Sequence, residues 1–287
     1  MNQYLQFDYT TIGHVTIDVF ADGSRRAGGT AFYSALQAAR LGLRAAIVTQ
    51  GRAQEIEALL EPYRCELSLT VLPAQQTTTL HTTGAGAARS QRVLAWAGAI
   101  AAENVVLDSA IVHLAPVARE TPADWSGRAR FVGLTPQGLA RRWSGNGGPI
   151  TQAPPADAAI AAAARCNALV VSEQERESCA GVIAAARAAG AVVAVTAGAH
   201  PNTILLPDGQ ALALDVPALA DAVDDLGAGD VFAAAFFVSL SDGCSPRDAV
   251  AFANAAAAVR MRGAGAGAIG DRAAIDARLH TGASAGD

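Results

Sequence analysis

The sequence predicts an α/β fold built on a mostly parallel sheet. The chain opens in the order strand, helix, strand, helix. Short apolar runs then recur, interleaved with alanine-rich helical stretches. Of the 287 residues, 51% are hydrophobic and only 16% charged, which supplies a large core and excludes a disordered chain.

Residues 10–19 read as an opening strand, with Ile12, Val15 and Ile17 among polar neighbours. Residues 25–29 form a polar turn ending in glycine. Residues 30–41 are a helix, because Phe32, Leu36 and Ala39 share one face and Gly42 follows. Residues 45–49 are a short apolar strand and residues 54–63 a helix. Residues 66–96 change character: threonine and valine dominate, 67–71 alternate, and Gly84-Ala85-Gly86 marks a turn. Antiparallel strands and a hairpin are expected there, forming a small second layer. Strands follow at 111–115, 131–134, 168–172 and 192–196, with helices at 157–165 and 174–189. Residues 203–206 and 211–214 form a hairpin across Pro207-Asp208-Gly209. Helices at 227–240, 246–261 and 272–279 end the pattern, and residues 281–287 are expected to fray. Residues 142–155, rich in glycine and proline, are expected to be a loop. No internal repeat is visible, and one domain over residues 1–287 is expected.

Several function classes are excluded by composition. The net charge is −5 and no basic stripe exists, so nucleic-acid binding is not expected. All 21 basic residues are arginine. Without lysine there is neither a Walker-type phosphate loop nor a pyridoxal-phosphate Schiff base. Phosphates must then be held by backbone N–H groups, arginine and metal. Cys65, Cys166, Cys179 and Cys244 lack zinc spacing and are expected to be buried reduced thiols. None of the five histidines pairs at metal-ligand spacing. No signal peptide or membrane span is read, and a cytoplasmic location is expected.

The chemistry is carried by Asp224-Asp225-Leu226-Gly227-Ala228-Gly229-Asp230. Glycines sit at a turn and an apolar helix follows at once. Unpaired N–H groups and the helix dipole make such a start an anion site. Asp230 lies in the first helical turn, where it stabilises the dipole or takes a proton from an attacking hydroxyl. Asp18, on the first strand, suits binding of sugar hydroxyls or starts a turn. Gln137 and Arg141 follow the strand at 131–134, where an open parallel sheet binds ligands. Gly265-Ala266-Gly267-Ala268-Ile269-Gly270 matches a dinucleotide motif in letters only, because a helix precedes it.

The Gly-Ala-Gly-Asp segment resembles the second signature of the PfkB/ribokinase-like carbohydrate kinases, and Gly28-Gly29 through Gly42 echoes the first. The resemblance runs from about Thr10 to Arg278. It implies a three-layer α/β/α sandwich with a small, reduced β lid drawn from about residues 19–27 and 66–97. It implies phosphoryl transfer from ATP to a sugar or polyol, with Asp230 as base and the amides of Gly227, Ala228 and Gly229 as anion hole. Asp18, Gly28, Gly29, Tyr33, Gln137 and Arg141 would hold the acceptor. Thr196, Gly198, Asn254 and Ser172 would contact the nucleotide, and Glu175 would meet Mg2+ through water. The first part of the motif lies near the monovalent-cation site of many relatives. Departures are Asp225 for threonine or proline, Ser172 for asparagine, Tyr33 for asparagine, and His200-Pro201-Asn202 for a small turn. Nucleoside and myo-inositol-like cyclitol kinases, and a non-catalytic sugar- or nucleotide-binding relative, stay open as alternatives, as do monomer and homodimer.

Overall fold

The structure is a computed structural model that describes residues 6–145, 147–219 and 221–283. In chain order its strands and helices begin with β1 (Phe7–Ile12), β2 (Thr16–Phe20), β3 (Arg25–Gly28), α1 (Thr30–Arg40), β4 (Ala45–Gly51) and α2 (Ala53–Leu60). Then come β5 (Leu67–Pro73), β6 (Thr79–Thr83), β7 (Ser90–Ala95), β8 (Val106–Leu114) and β9 (Ser126–Leu134). The middle holds β10 (Arg141–Arg142), β11 (Gly148–Pro149), β12 (Thr151–Gln152), α3 (Asp157–Ala163), β13 (Ala168–Ser172) and α4 (Ala180–Ala188). The last part is β14 (Val192–Ala197), β15 (His200–Leu205), β16 (Ala211–Leu214), α5 (Ala228–Ser241), α6 (Pro246–Met261) and α7 (Arg272–Ala283).

A nine-stranded sheet runs β16-β15-β14-β13-β9-β8-β1-β4-β5. From β14 to β5 every pairing is parallel, and the β15–β16 hairpin adds an antiparallel edge. The order reverses around β1, which pairs with β4 on one side and β8 on the other. Crevices form at the carboxyl ends beside such a switch point. The core lies on both faces of this sheet. On one face α1, α5 and α6 bring Phe32, Leu36, Phe232, Phe236 and Phe237 together. On the other, Val182 and Ile183 of α4 pack with Leu114, Leu134 and Leu169. Helix α5 is buried from Val231 to Ser239, as its apolar residues on every face require.

A second sheet, β11-β7-β6-β2-β3, has five strands. The opening strand expected over residues 10–19 is therefore two strands in two sheets, parted at Gly13-His14-Val15. Gly13 allows the break: a Cβ there would lie 2.1 Å from the Ala115 carbonyl oxygen. Residues 67–73, expected in the second layer, instead extend the large sheet as β5, parallel to β4. The loop expected at 142–155 contains strand pairing, with Gly148 and Pro149 opposite Val93 and Arg92. Strands β8 and β9 start well before the apolar runs: the first half of β8 buries only alternate residues, Leu107 and Ser109, that of β9 is largely exposed, and Arg128 bonds Asp108 across the pair at 2.7 Å. The helix expected at 174–189 begins only at Ala180. Helix α7 continues to Ala283, and the rest of the tail expected to fray lies outside the described residues. Cys166 and Cys179 are buried, whereas Cys65 and Cys244 are exposed, against expectation. Among the described residues no helix is long and apolar enough to cross a membrane.

Candidate active site

The site gathers where β1, β9, β13 and β14 end and α1 and α5 begin. Asp230 sits in the first turn of α5. Ser34 of α1 donates to its carbonyl oxygen at 3.0 Å, which ties the two helix starts together. The Gln137 side-chain amide donates to Asp230 Oδ1 at 3.3 Å and to the Thr30 hydroxyl at 2.6 Å. Burial pushes the Asp230 carboxyl up to about 6, against the opposing pull of the Thr30 hydroxyl and Arg141; Glu175 and Asp18 push the same way as burial. A carboxylate held there is ionised at neutral pH yet more basic than usual.

Before Asp230 the chain makes the tight turn that the glycines announce. Gly227 has φ 79°, in the left-handed region, and caps α5. A Cβ on Gly227 would also stand 2.3 Å from the Tyr33 ring. Position 229 opens on free space, with no atom within 4 Å of where a Cβ would be. Of the three amides expected to receive phosphate, that of Ala228 is already engaged, donating to the Asp225 carbonyl at 3.2 Å.

Asp18 is 3% exposed and accepts a hydrogen bond from the Thr16 hydroxyl at 2.8 Å. Burial raises its pKa to about 6, while Thr16, Arg141 and Arg89 act to lower it. Gly28 lies directly against it: a Cβ there would be 2.2 Å from Asp18 Oδ2. Gly29 caps α1 with its would-be Cβ 2.3 Å from the His14 carbonyl oxygen. Arg141 donates to the Val117 carbonyl at 2.9 Å and acts electrostatically on both Asp18 and Asp230. Asp18, Gly28, Gln137, Arg141 and Asp230 thus form one cluster, joined by contact, hydrogen bond and charge, with Gly29 at the adjoining cap of α1.

The other expected residues have their own partners. Tyr33 is 2% exposed and lies under the turn, its ring against Gly227. Burial pushes its phenol up to about 12, with the neighbouring Arg260 guanidinium acting against this. Ser172 donates its hydroxyl to Glu175 Oε2 at 2.6 Å, and the same oxygen takes the Ser172 N–H at 3.2 Å. The pair is a capping box that folds Glu175 back on its own strand end. Thr196 is half-buried at the end of β14, and Gly198 forms a two-residue turn with Ala199 before β15. Asn254 is 7% exposed and accepts a hydrogen bond from the Asn202 side chain at 2.8 Å. Asp225 accepts the Gly86 N–H at 3.0 Å and pairs with Arg89, so its charge is met by the second sheet.

Comparison with known proteins fits this geometry. Residues 2–271 match the pfkB family carbohydrate kinase profile. The chain belongs to the PfkB family of carbohydrate kinases. No curated protein matches it by sequence. Among solved structures it is similar to a pyrophosphate-dependent kinase of the ribokinase family complexed with a pyrophosphate analog and myo-inositol (TM-score 0.71, 20% identity, 90% of this chain and 96% of that one). It is similar to Arabidopsis thaliana ribokinase complexed with ribose and ATP (TM-score 0.70, 19% identity, 95% and 98%). It is similar also to Vibrio cholerae O395 fructokinase bound to fructose, ADP and calcium (TM-score 0.72, 18% identity, 95% and 99%). At these identities the likeness is one of fold, and the fold is the ribokinase-like α/β sandwich.

For this PfkB member, sequence reasoning missed four supporting residues. Thr30 meets Gln137 beside the expected base. Arg89 reaches from the second sheet to Asp225. Glu120, fully buried, accepts the N–H groups of His14 at 2.8 Å and Ala118 at 2.6 Å, fixing the loop whose Val117 carbonyl anchors Arg141. Arg260, 0% exposed, binds the turn from behind. Thr30 lies in the first-signature segment but was given no role there; of the other three, a lone arginine in an apolar helical stretch was the one signal available, because a buried charge requires partners.

Proposed function

We propose that this chain transfers a phosphoryl group from ATP to a hydroxyl of a sugar or polyol, with Asp230 as the base. The observation that carries the reading is the left-handed Gly227 turn that opens α5 with Asp230 in its first turn, where Gln137 bridges Asp230 to Thr30 and Asp18 and Arg141 act on the same carboxyl. Asp18 accepts hydrogen bonds from acceptor hydroxyls, and Gly28 leaves room for its carboxylate. Asp230 takes the proton as the acceptor oxygen bonds to the γ-phosphorus and the bridging bond to ADP breaks. The amides of Gly227 and Gly229 stabilise charge developing on the phosphoryl oxygens. Arg141 screens the two carboxylates from each other, and Gln137 aims the base.

Magnesium is the metal this chemistry calls for. Among the described residues no cluster of three or more His, Cys, Asp or Glu could hold a metal by itself. The ion would be held chiefly by the donor's phosphates, where it neutralises their charge, with Glu175 reaching it through water.

A second reading concerns the donor. Asn254, expected at the base, has its side-chain oxygen taken by Asn202, and the turn at Gly198 spans only two residues. Inorganic pyrophosphate needs the anion site and no base contacts. Phosphorus NMR of product mixtures, with ATP and pyrophosphate each offered against sugars, cyclitols and nucleosides, tests both readings. Transfer to a hydroxyl from ATP is expected. Transfer from pyrophosphate alone replaces the donor, and retained ligand binding with no transfer from either donor overturns the kinase reading in favour of a binding protein.

A further inference from the structure

A buried cation stands directly behind the phosphate turn. The Arg260 side chain comes from α6 with 0% exposure. Its Nη1 donates to the Gly263 carbonyl at 2.9 Å and the Asp224 carbonyl at 3.3 Å. Its Nη2 donates to the Leu226 carbonyl at 2.6 Å and to Asp224 Oδ2 at 3.1 Å. Its Nε has no acceptor. The guanidinium carbon lies 5.6 Å from the centre of the Tyr33 ring, the ring on which Gly227 rests.

Three backbone carbonyls and one carboxylate oxygen, converging from two chain segments, make the kind of oxygen cage that replaces the water shell of a monovalent metal ion. The family resemblance implies such an ion near the start of this motif. The residues present do not fit one. Each of the four oxygens already faces an N–H of a group that carries the same single positive charge. A guanidinium stays protonated at every relevant pH and spreads its donors over a plane, so it can satisfy several oxygens at once. The carboxyl of Asp224 answers the charge. Its own burial works against ionisation, but the N–H groups of Gly265 and Leu226 and the guanidinium outweigh this and hold it below the usual range. A metal ion added here would set two like charges a few ångströms apart with one carboxylate between them, in a place shielded from water.

We propose that the Arg260 guanidinium, clamped by the Asp224, Leu226 and Gly263 oxygens, takes the place of a monovalent metal ion, so that the phosphate turn of this protein is ordered without potassium. Arg260 is a positioning residue. It pins the carbonyls of residues 224 and 226 and presses Tyr33 under Gly227, which presets the Gly227 and Gly229 amides. The turnover part of the test rests on the kinase reading; the melting part does not.

The experiment is an ion titration of the intact protein. Protein exchanged into a tetramethylammonium buffer is brought to equal ionic strength with potassium, sodium or caesium chloride, and melting temperature and turnover are followed. Potassium is expected to move the melting temperature no more than the other cations and to change turnover by less than about twofold, the mark of absent coupling. A saturable, potassium-specific rise in melting temperature, or in turnover by about tenfold or more, overturns the proposal. If no acceptor is turned over, the kinase reading fails while the melting titration still decides this one. In Arg260→Gln the oxygens lose their cation, and that variant is expected to acquire a potassium-specific rise in melting temperature or to fold only when potassium is present. Should it fold and remain indifferent to potassium, the proposal is overturned as well.

Discussion

Asp18 and Asp230 are two neighbouring carboxylates that burial holds near pKa 6, and their titration sets the pH behaviour. A base must be ionised to accept a proton, so kcat/KM is expected to fall as pH drops through about 6. Repulsion between the two carboxylates separates their ionisations into two steps, so the limb should be broader than that of a single proton. A rate profile flat down to pH 5 would remove Asp230 from the role of base. The same raised values cost stability. Folded Asp18 binds its proton more tightly than the unfolded chain does, so the penalty is absent below the ordinary value of 3.8 and complete above about 6. Asp18→Asn is therefore expected to raise stability at pH 7.5 by about 1–3 kcal/mol, with the gain vanishing below about pH 4. Denaturant unfolding of the two proteins at both pH values checks this, and an unchanged or lower stability at pH 7.5 would contradict it.

The turn that opens α5 shows why much of the site was legible and part of it was not. Gly227, Gly229 and Asp230 announce themselves because a left-handed turn, an open approach and a first-turn carboxylate each demand a residue type at a fixed spacing. Asp18 and Gly28 were legible for the same reason, as a carboxylate on a strand with a glycine facing it. That the Tyr33 ring lies under the turn was not legible, because sequence places a residue on a helix without saying whether that face meets ligand or neighbour. The fold itself was legible in its central strands and its last three helices, where apolar runs are long. Strand β5 was assigned to the wrong layer because alternation marks a strand and says nothing of which sheet accepts it. Gly227→Ala tests the turn directly. Its positive φ and the Tyr33 ring at 2.3 Å from the new Cβ are expected to cost about 1–3 kcal/mol and to lower donor affinity more than acceptor affinity. Chemical denaturation and ligand titration separate the two effects. A Gly227→Ala variant of native stability and donor affinity would mean that the strained turn is not required.

Across the whole molecule, the two sheets and the α5 turn converge on one cluster of residues. The five-stranded sheet brings Asp18 and Gly28 on β2 and β3, and its β6–β7 turn brings Gly86 and Arg89 to Asp225. The nine-stranded sheet and its following loops bring Gln137, Arg141 and Glu175. Because the Arg89–Asp225 pair is partly exposed, Arg89→Ala is expected to raise KM by about two- to fivefold and to change kcat less. Equal losses in kcat and kcat/KM would instead place Arg89 in the transition state. The convergence matters only if this cluster performs phosphoryl transfer through Asp230. The measurement that asks this most directly is the initial rate of acceptor phosphorylation by wild type and Asp230→Asn, with ligand binding followed by calorimetry on both. Loss of about a thousandfold in kcat with ligand binding retained is the predicted result. An Asp230→Asn protein that turns over at the wild-type rate would contradict the account.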